Sequence, residues 1–149
     1  MHGLAWLRQW LLFLILLIII SPGYTAQVKA DGTTITLNGG TASTTTNLDP
    51  AIWATNNGVI ISNGANATTT GTTAYGVEAN NSGQVTLNGG LISTTGTTSA
   101  GLYATTQGLI NAQGIQVITQ GIGAFGVAAE NLGKIILSGI TVTTSGQTA

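Results

Sequence analysis

The sequence predicts an all-β fold: a single-stranded right-handed parallel β-helix (β-solenoid) of about 25 residues per coil, about four and a half coils over residues 31–149, preceded by a helical signal peptide. Three observations carry this. Gly39, Gly64, Gly89, Gly114 and Gly139 recur at a spacing of 25, as do Gly58, Gly83, Gly108 and Gly133, and Gly71, Gly96, Gly121 and Gly146. A threonine column (Thr44, Thr69, Thr94, Thr119, Thr144) and an alanine column (Ala54, Ala79, Ala104, Ala129) keep the same register. Between the columns, short runs alternate polar and apolar residues and end at Gly/Asn corners. A fixed repeat of this length is the mark of a solenoid.

The third coil shows the elements in order. Its first run is Tyr75-Gly76-Val77-Glu78-Ala79, its second Gln84-Val85-Thr86-Leu87, its third Leu91-Ile92-Ser93-Thr94. Asn80 to Gly83, Asn88 to Gly90 and Thr95 to Thr98 form the three corners. Runs this short do not make hairpin arms, and three per period suit a triangular coil. Alternation assigns the interior. One inward column is Ile35, Ile60, Val85, Ile110, Ile135; another is Ile52, Val77, Leu102, Val127; a third is Ala42, Ala67, Ile92, Val117, Val142. The Thr44 column shares the parity of the third, so its hydroxyls are expected to bond one another or nearby backbone. Asn38, Asn63 and Asn88 are expected to stack as a corner ladder of amides. One coil buries too little to order itself, so neighbouring coils must supply the missing bonds and contacts.

The N-terminal segment differs from the rest. Arg8 precedes an unbroken apolar run, Trp10–Ile20, which Ser21-Pro22-Gly23 breaks. Basic start, apolar middle and breaker is the order of a secretory signal. The signal is assigned to residues 1–26, with cleavage after Ala26 or as late as Ala30. As a helix, Trp10–Ile20 would cover about 17 Å of a hydrocarbon layer about 30 Å thick, too little to span it.

Composition limits the chemistry. Charged residues are 5% of the chain and the formal net charge is −1, which gives no field to draw nucleic acid. Cysteine is absent and the one histidine, His2, lies in the signal, so thiolate sites and imidazole ligands are not expected in the mature chain. No cofactor and no metal are expected, and no catalysis: Lys29, Asp31, Asp49, Glu78, Glu130 and Lys134 are too scattered to build the paired carboxylates of a polysaccharide-cleaving groove.

The pattern A-x-G-V-x-A-x-x-x-G-x-V-x-L-x-G-G-x-I-x-T-T-G, from Ala74 to Gly96, resembles the coils of autotransporter passenger domains of the pertactin-like kind. The resemblance covers about residues 32–149. It implies a non-catalytic adhesin-like stalk, secreted or displayed on a bacterial cell surface, that meets a host-cell or matrix surface or glycans. Such proteins also carry a C-terminal outer-membrane β-barrel. This sequence shows no barrel strands and stops at Gln147-Thr148-Ala149, the opening of another coil, so a fragment, a truncated form or a standalone relative is expected. Membrane contact would come only through the signal or a missing barrel. An open C-terminal rung is expected to let copies associate end to end.

Two surfaces invite contact. Trp53, Glu78, Tyr103 and Ala128 form one outward column, and stacked aromatics with an acid between them could dock a sugar ring. A plain external ladder that strengthens coil stacking accounts for the same residues. A second face carries Ser43/Thr45, Thr68/Thr70, Ser93/Thr95 and Thr143/Ser145, similar to the hydroxyl arrays of ice-binding solenoids, but Ile118 and Gln120 interrupt it. The competing readings are therefore a carbohydrate-binding or carbohydrate-degrading pectate-lyase-like β-helix and, third, an ice-binding solenoid.

Overall fold

The computed structural model describes residues 18–20 (backbone), 23–24 and 26–147. Every regular element among them is a strand, and every strand pairing is parallel. The strands fall into three sheets that run along one axis. The first holds β3 (Thr34–Asn38), β6 (Val59–Asn63), β9 (Gln84–Asn88), β12 (Leu109–Gln113) and β15 (Lys134–Ser138), with β1 (Ile18–Ile20) added beyond β3. The second holds β4 (Thr41–Thr44), β7 (Asn66–Thr69), β10 (Leu91–Thr94), β13 (Gln116–Thr119) and β16 (Thr141–Thr144). The third holds β2 (Val28–Asp31), β5 (Ile52–Thr55), β8 (Val77–Ala79), β11 (Ala100–Ala104) and β14 (Phe125–Ala129). The molecule is thus a right-handed parallel β-helix with three strands per coil.

Two details correct the sequence reading. The coils number five, because Val28–Asp31 already forms the first strand of the third sheet. The spacing also slips once: Val28 pairs Ile52 and Asp31 pairs Thr55, 24 residues on, whereas Thr34 pairs Val59, 25 on. The first corner is one residue shorter than its successors. Gly32, at φ 60°, closes it, and its N–H donates to Thr55 O at 3.2 Å.

At the N-terminus, Ile18–Ile20 is extended rather than helical, and Ile18 pairs Ile35 in parallel. Three consecutive β-branched residues favour extended backbone, and the outer edge of β3 offers unpaired groups to receive them. The rest of the expected signal helix, residues 1–17, lies outside the described residues; of the two bonds proposed for cleavage, Ala26–Gln27 precedes β2, whereas Ala30–Asp31 lies within it, with Ala30 fully buried.

The corners explain the glycine columns by two different mechanisms. Asn56/Asn57, Asn81/Ser82, Thr106/Gln107 and Asn131/Leu132 all turn through the left-handed region. Gly58, Gly83, Gly108 and Gly133 follow them, and there a side chain has no room: a Cβ on Gly83 would meet the carbonyl of Ala54 in the coil below. Gly64 and Gly89, by contrast, have open space around them but sit at φ 73° and 72°, which glycine adopts without strain.

The core is the stack of inward columns. Ile35, Ile60, Val85 and Ile110 are buried, as are Ile52, Val77 and Leu102, and Ala42, Ala67, Ile92 and Val117. In the fifth coil Val127 and Ile135 are half-buried and Val142 is exposed. The amide ladder forms as expected: Asn63 donates to Asn38 and Asn88 to Asn63, each at 3.0 Å. A second ladder at the first corner runs from Asn56 to Asp31 at 2.9 Å and from Asn81 to Asn56 at 3.4 Å. The threonine column meets the expectation in part, and Thr44 Oγ1 accepts from Thr46 N–H at 3.2 Å. Thr69 donates to Ala74 O at 3.1 Å, but the buried hydroxyls of Thr94 and Thr119 have no protein partner. Stacking alone does not bring like hydroxyls together on the inward face, whereas on the outside Thr73 and Thr98, one rung apart, meet Oγ1 to Oγ1 at 2.9 Å.

Candidate functional site

The third sheet carries the predicted contact column in register: Trp53 pairs Glu78, Glu78 pairs Tyr103, and Tyr103 pairs Ala128. Lys29 extends the column below Trp53. Alternation fixes this, since Ile52 and Ala54, Val77 and Ala79, and Leu102 and Ala104 all point into the core.

The column does not present itself as an open platform. Lys29 Nζ lies over the Trp53 ring at 4.1 Å from its centroid and pairs with Asp31 Oδ2 at 3.2 Å. The hydrogen bond from Asn56, and then Lys29, holds the Asp31 carboxyl below its ordinary range. Glu78 is only 8% exposed. Burial pushes its carboxyl up, against the opposing hydrogen bond that Asn80 Nδ2 donates to it. Trp53 Nε1 and Asn80 Oδ1 are buried beside these groups without a protein partner. So the acid expected between two exposed aromatics is covered.

Tyr103 leans out of its own column instead. Its ring stacks on Tyr75 with centroids 4.2 Å apart and planes at 26°, and its hydroxyl donates to Glu130 Oε1. Burial and the bond to Glu130 raise the Tyr103 hydroxyl well above its ordinary value, so it stays a donor. The Tyr75 hydroxyl is raised too, by burial first and then by the charges of Glu78 and Glu130.

This lean borders a hollow on the surface. Phe125 pairs Ala100, the residue one coil above Tyr75. Two aromatic rings in one column are thus separated by an alanine, and Ala128 is equally small in the next column. The gap is a cavity of about 280 Å³ lined by Tyr75, Tyr103, Phe125 and Glu130, with Ala100 and Ala128 as floor. Phe125 is 57% exposed, although it is one of the largest apolar side chains in the chain. Of the predicted column, Tyr103 and Ala128 line this hollow, and Trp53 and Glu78 do not. Tyr75, Phe125 and Glu130 escaped the sequence reading. The available signal was the recurrence of an aromatic at positions 75 and 125 with Ala100 between them.

The second sheet presents the hydroxyl face. Ser43, Thr68 and Ser93 are in register and half-buried, and Ile118 interrupts them before Thr143. Among the described residues no group of three or more histidines, cysteines or acids is placed to hold a metal.

Compared with protein-family models, with curated proteins and with solved structures, the chain matches none.

Proposed function

We propose that this chain is a non-catalytic adhesin-like stalk, secreted or displayed on a bacterial surface in the manner of an autotransporter passenger. The observation that supports this most is the way its charged groups are spent. Asp31 is paired with Lys29 and Asn56, Glu78 is buried against Asn80, and Glu130 accepts from Tyr103. Glu78 and Glu130 stand two rungs apart, about 10 Å along the axis. A glycosidase needs two carboxylates facing one bond across roughly 5–9.5 Å, one of them free to exchange protons. What the fold offers in place of that is a long, regular surface, the usual means by which solenoids meet their partners.

In this reading the apolar N-terminal run directs export, and the faces of the three sheets meet a host-cell, matrix or glycan surface. The experiment is expression of the full chain in a bacterium with an outer membrane. Fractionation and N-terminal sequencing should recover an exported form beginning at Gln27 or Asp31, and beads coated with it should adhere to host cells or matrix. A cytoplasmic, uncleaved product, or turnover of a polysaccharide by the purified chain, would overturn the proposal.

A further inference from the structure

The hollow at Tyr75, Tyr103, Phe125 and Glu130 has a chemistry more specific than a generic contact surface. Its walls are aromatic rings, whose faces carry negative potential. Its rim is an exposed carboxylate. The one ion pair among the described residues is Lys29 with Asp31, well below the hollow, and Lys134 stands on β15 in another sheet. Glu130 therefore has a hydroxyl partner but no cation. The region is electronegative and uncompensated.

Size narrows the occupant. A cavity of about 280 Å³ falls at the lower edge of the roughly 300–1,000 Å³ that hold drug-sized ligands, so it suits a single head group rather than a chain of sugar rings. Polarity narrows it further. A pyranose presents hydroxyls all round its rim, yet the lining offers only Thr98 and Glu130 besides the tyrosine hydroxyls. A primary ammonium or guanidinium would lose several hydrogen bonds to water and regain few here. A cation without N–H groups loses none.

We infer that this hollow binds a quaternary ammonium head group of the choline type, with Tyr103 and Phe125 against its methyl groups and the Glu130 carboxylate as counter-charge. Aromatic faces with a nearby acid suit such cations, at about 0.5–2 kcal/mol per ring contact. Ala100 and Ala128 are part of the site, because any larger side chain there would fill it. The inference goes beyond the export and display reading, and its test needs only the folded chain.

The test is titration of the full chain with choline chloride by isothermal calorimetry and ligand-observed NMR, alongside 3,3-dimethylbutan-1-ol, the uncharged isostere, and methyl β-glucoside. Choline should bind, and the isostere should bind more weakly. Glu130→Gln, which preserves shape, and Phe125→Ala should each weaken choline about 2- to 30-fold. Thr68→Ala on the second sheet should leave binding unchanged, and circular dichroism should show every variant folded. A parallel titration with phosphatidylcholine and phosphatidylglycerol vesicles tells a lipid head group from free choline as the source. Equal binding of choline and its isostere, preference for the glucoside, or no binding with the fold intact would overturn the inference.

Discussion

Gly76 and Ile92 occupy one space: a Cβ added to Gly76 would run into Cγ2 of Ile92 and come within 2.7 Å of Gly101 O. The relation repeats up the axis, with Gly101 against Val117 and Gly126 against Val142. One coil lower the same two positions are Ala51 and Ala67, both buried. Where the first position carries a Cβ the second is cut back to alanine, and where the second is β-branched the first is glycine, an exchange that close packing demands.

That exchange makes Gly101→Ala destabilising by about 1–3 kcal/mol through overpacking. Val117→Ala opens a cavity and is destabilising by itself. The double variant should be more stable than the sum of the two predicts, with a coupling of about 0.5–3 kcal/mol. Thermal unfolding of the four proteins measures it; strict additivity would show that the two sites do not share space.

The threonine column separates two roles for one side chain. Thr69→Val loses a buried hydrogen bond to Ala74 O and should cost about 0.5–1.5 kcal/mol. Thr94→Val removes a buried hydroxyl that has no partner, keeps the branched shape, and should be neutral or stabilising. The denaturant midpoint should fall for Thr69→Val and hold or rise for Thr94→Val.

Leu48 and Leu132 turn through the left-handed region at φ 67° and 66° while largely exposed. A leucine there is strained, and asparagine tolerates the conformation better. The same corner column as Leu132 already holds Asn57, which turns at φ 62°. Leu48→Asn and Leu132→Asn should each stabilise the fold by up to about 1 kcal/mol, read as a rise in melting temperature, with less exposed apolar surface as well.

Glu78 gives the fold a pH dependence of predictable sign. Burial raises its carboxyl in the folded state, so the folded protein holds this proton more tightly than the unfolded one. Its contribution to stability is therefore greatest in acid and falls as pH rises from the ordinary carboxylate value through the raised one. Asp31 works in the opposite sense, since its carboxyl is lowered and its contribution is lost in acid. Glu78→Gln should raise the melting temperature more at pH 7 than at pH 4; an equal shift at both would show that the carboxyl ionises freely in the fold.

Most of the architecture was legible because each coil repeats the constraints of the last. The columns of Gly83, Ile60 and Asn63 are each fixed by a like residue one rung away, so identity recurs visibly. What was not legible lay where that regularity breaks or where side chains cross columns. The short first corner at Gly32 and Thr33 leaves no mark in the glycine columns. The Thr94 hydroxyl was expected to find a partner, but neither a neighbouring threonine nor nearby backbone meets it. The hollow depends on Tyr103 leaning onto Tyr75 and reaching Glu130, which strand alternation alone does not predict. Ile18–Ile20 read as part of an apolar helix because length and hydrophobicity, not β-branching, dominated that segment.

The central claim is that each strand pairs in parallel with its counterpart one coil away. Backbone nuclear Overhauser contacts in the isotope-labelled protein test it most directly. Cross-strand contacts linking Ile60 to Val85 and Val85 to Ile110 are expected. Contacts that instead pair β9 with β10 as the arms of an antiparallel hairpin would contradict the account.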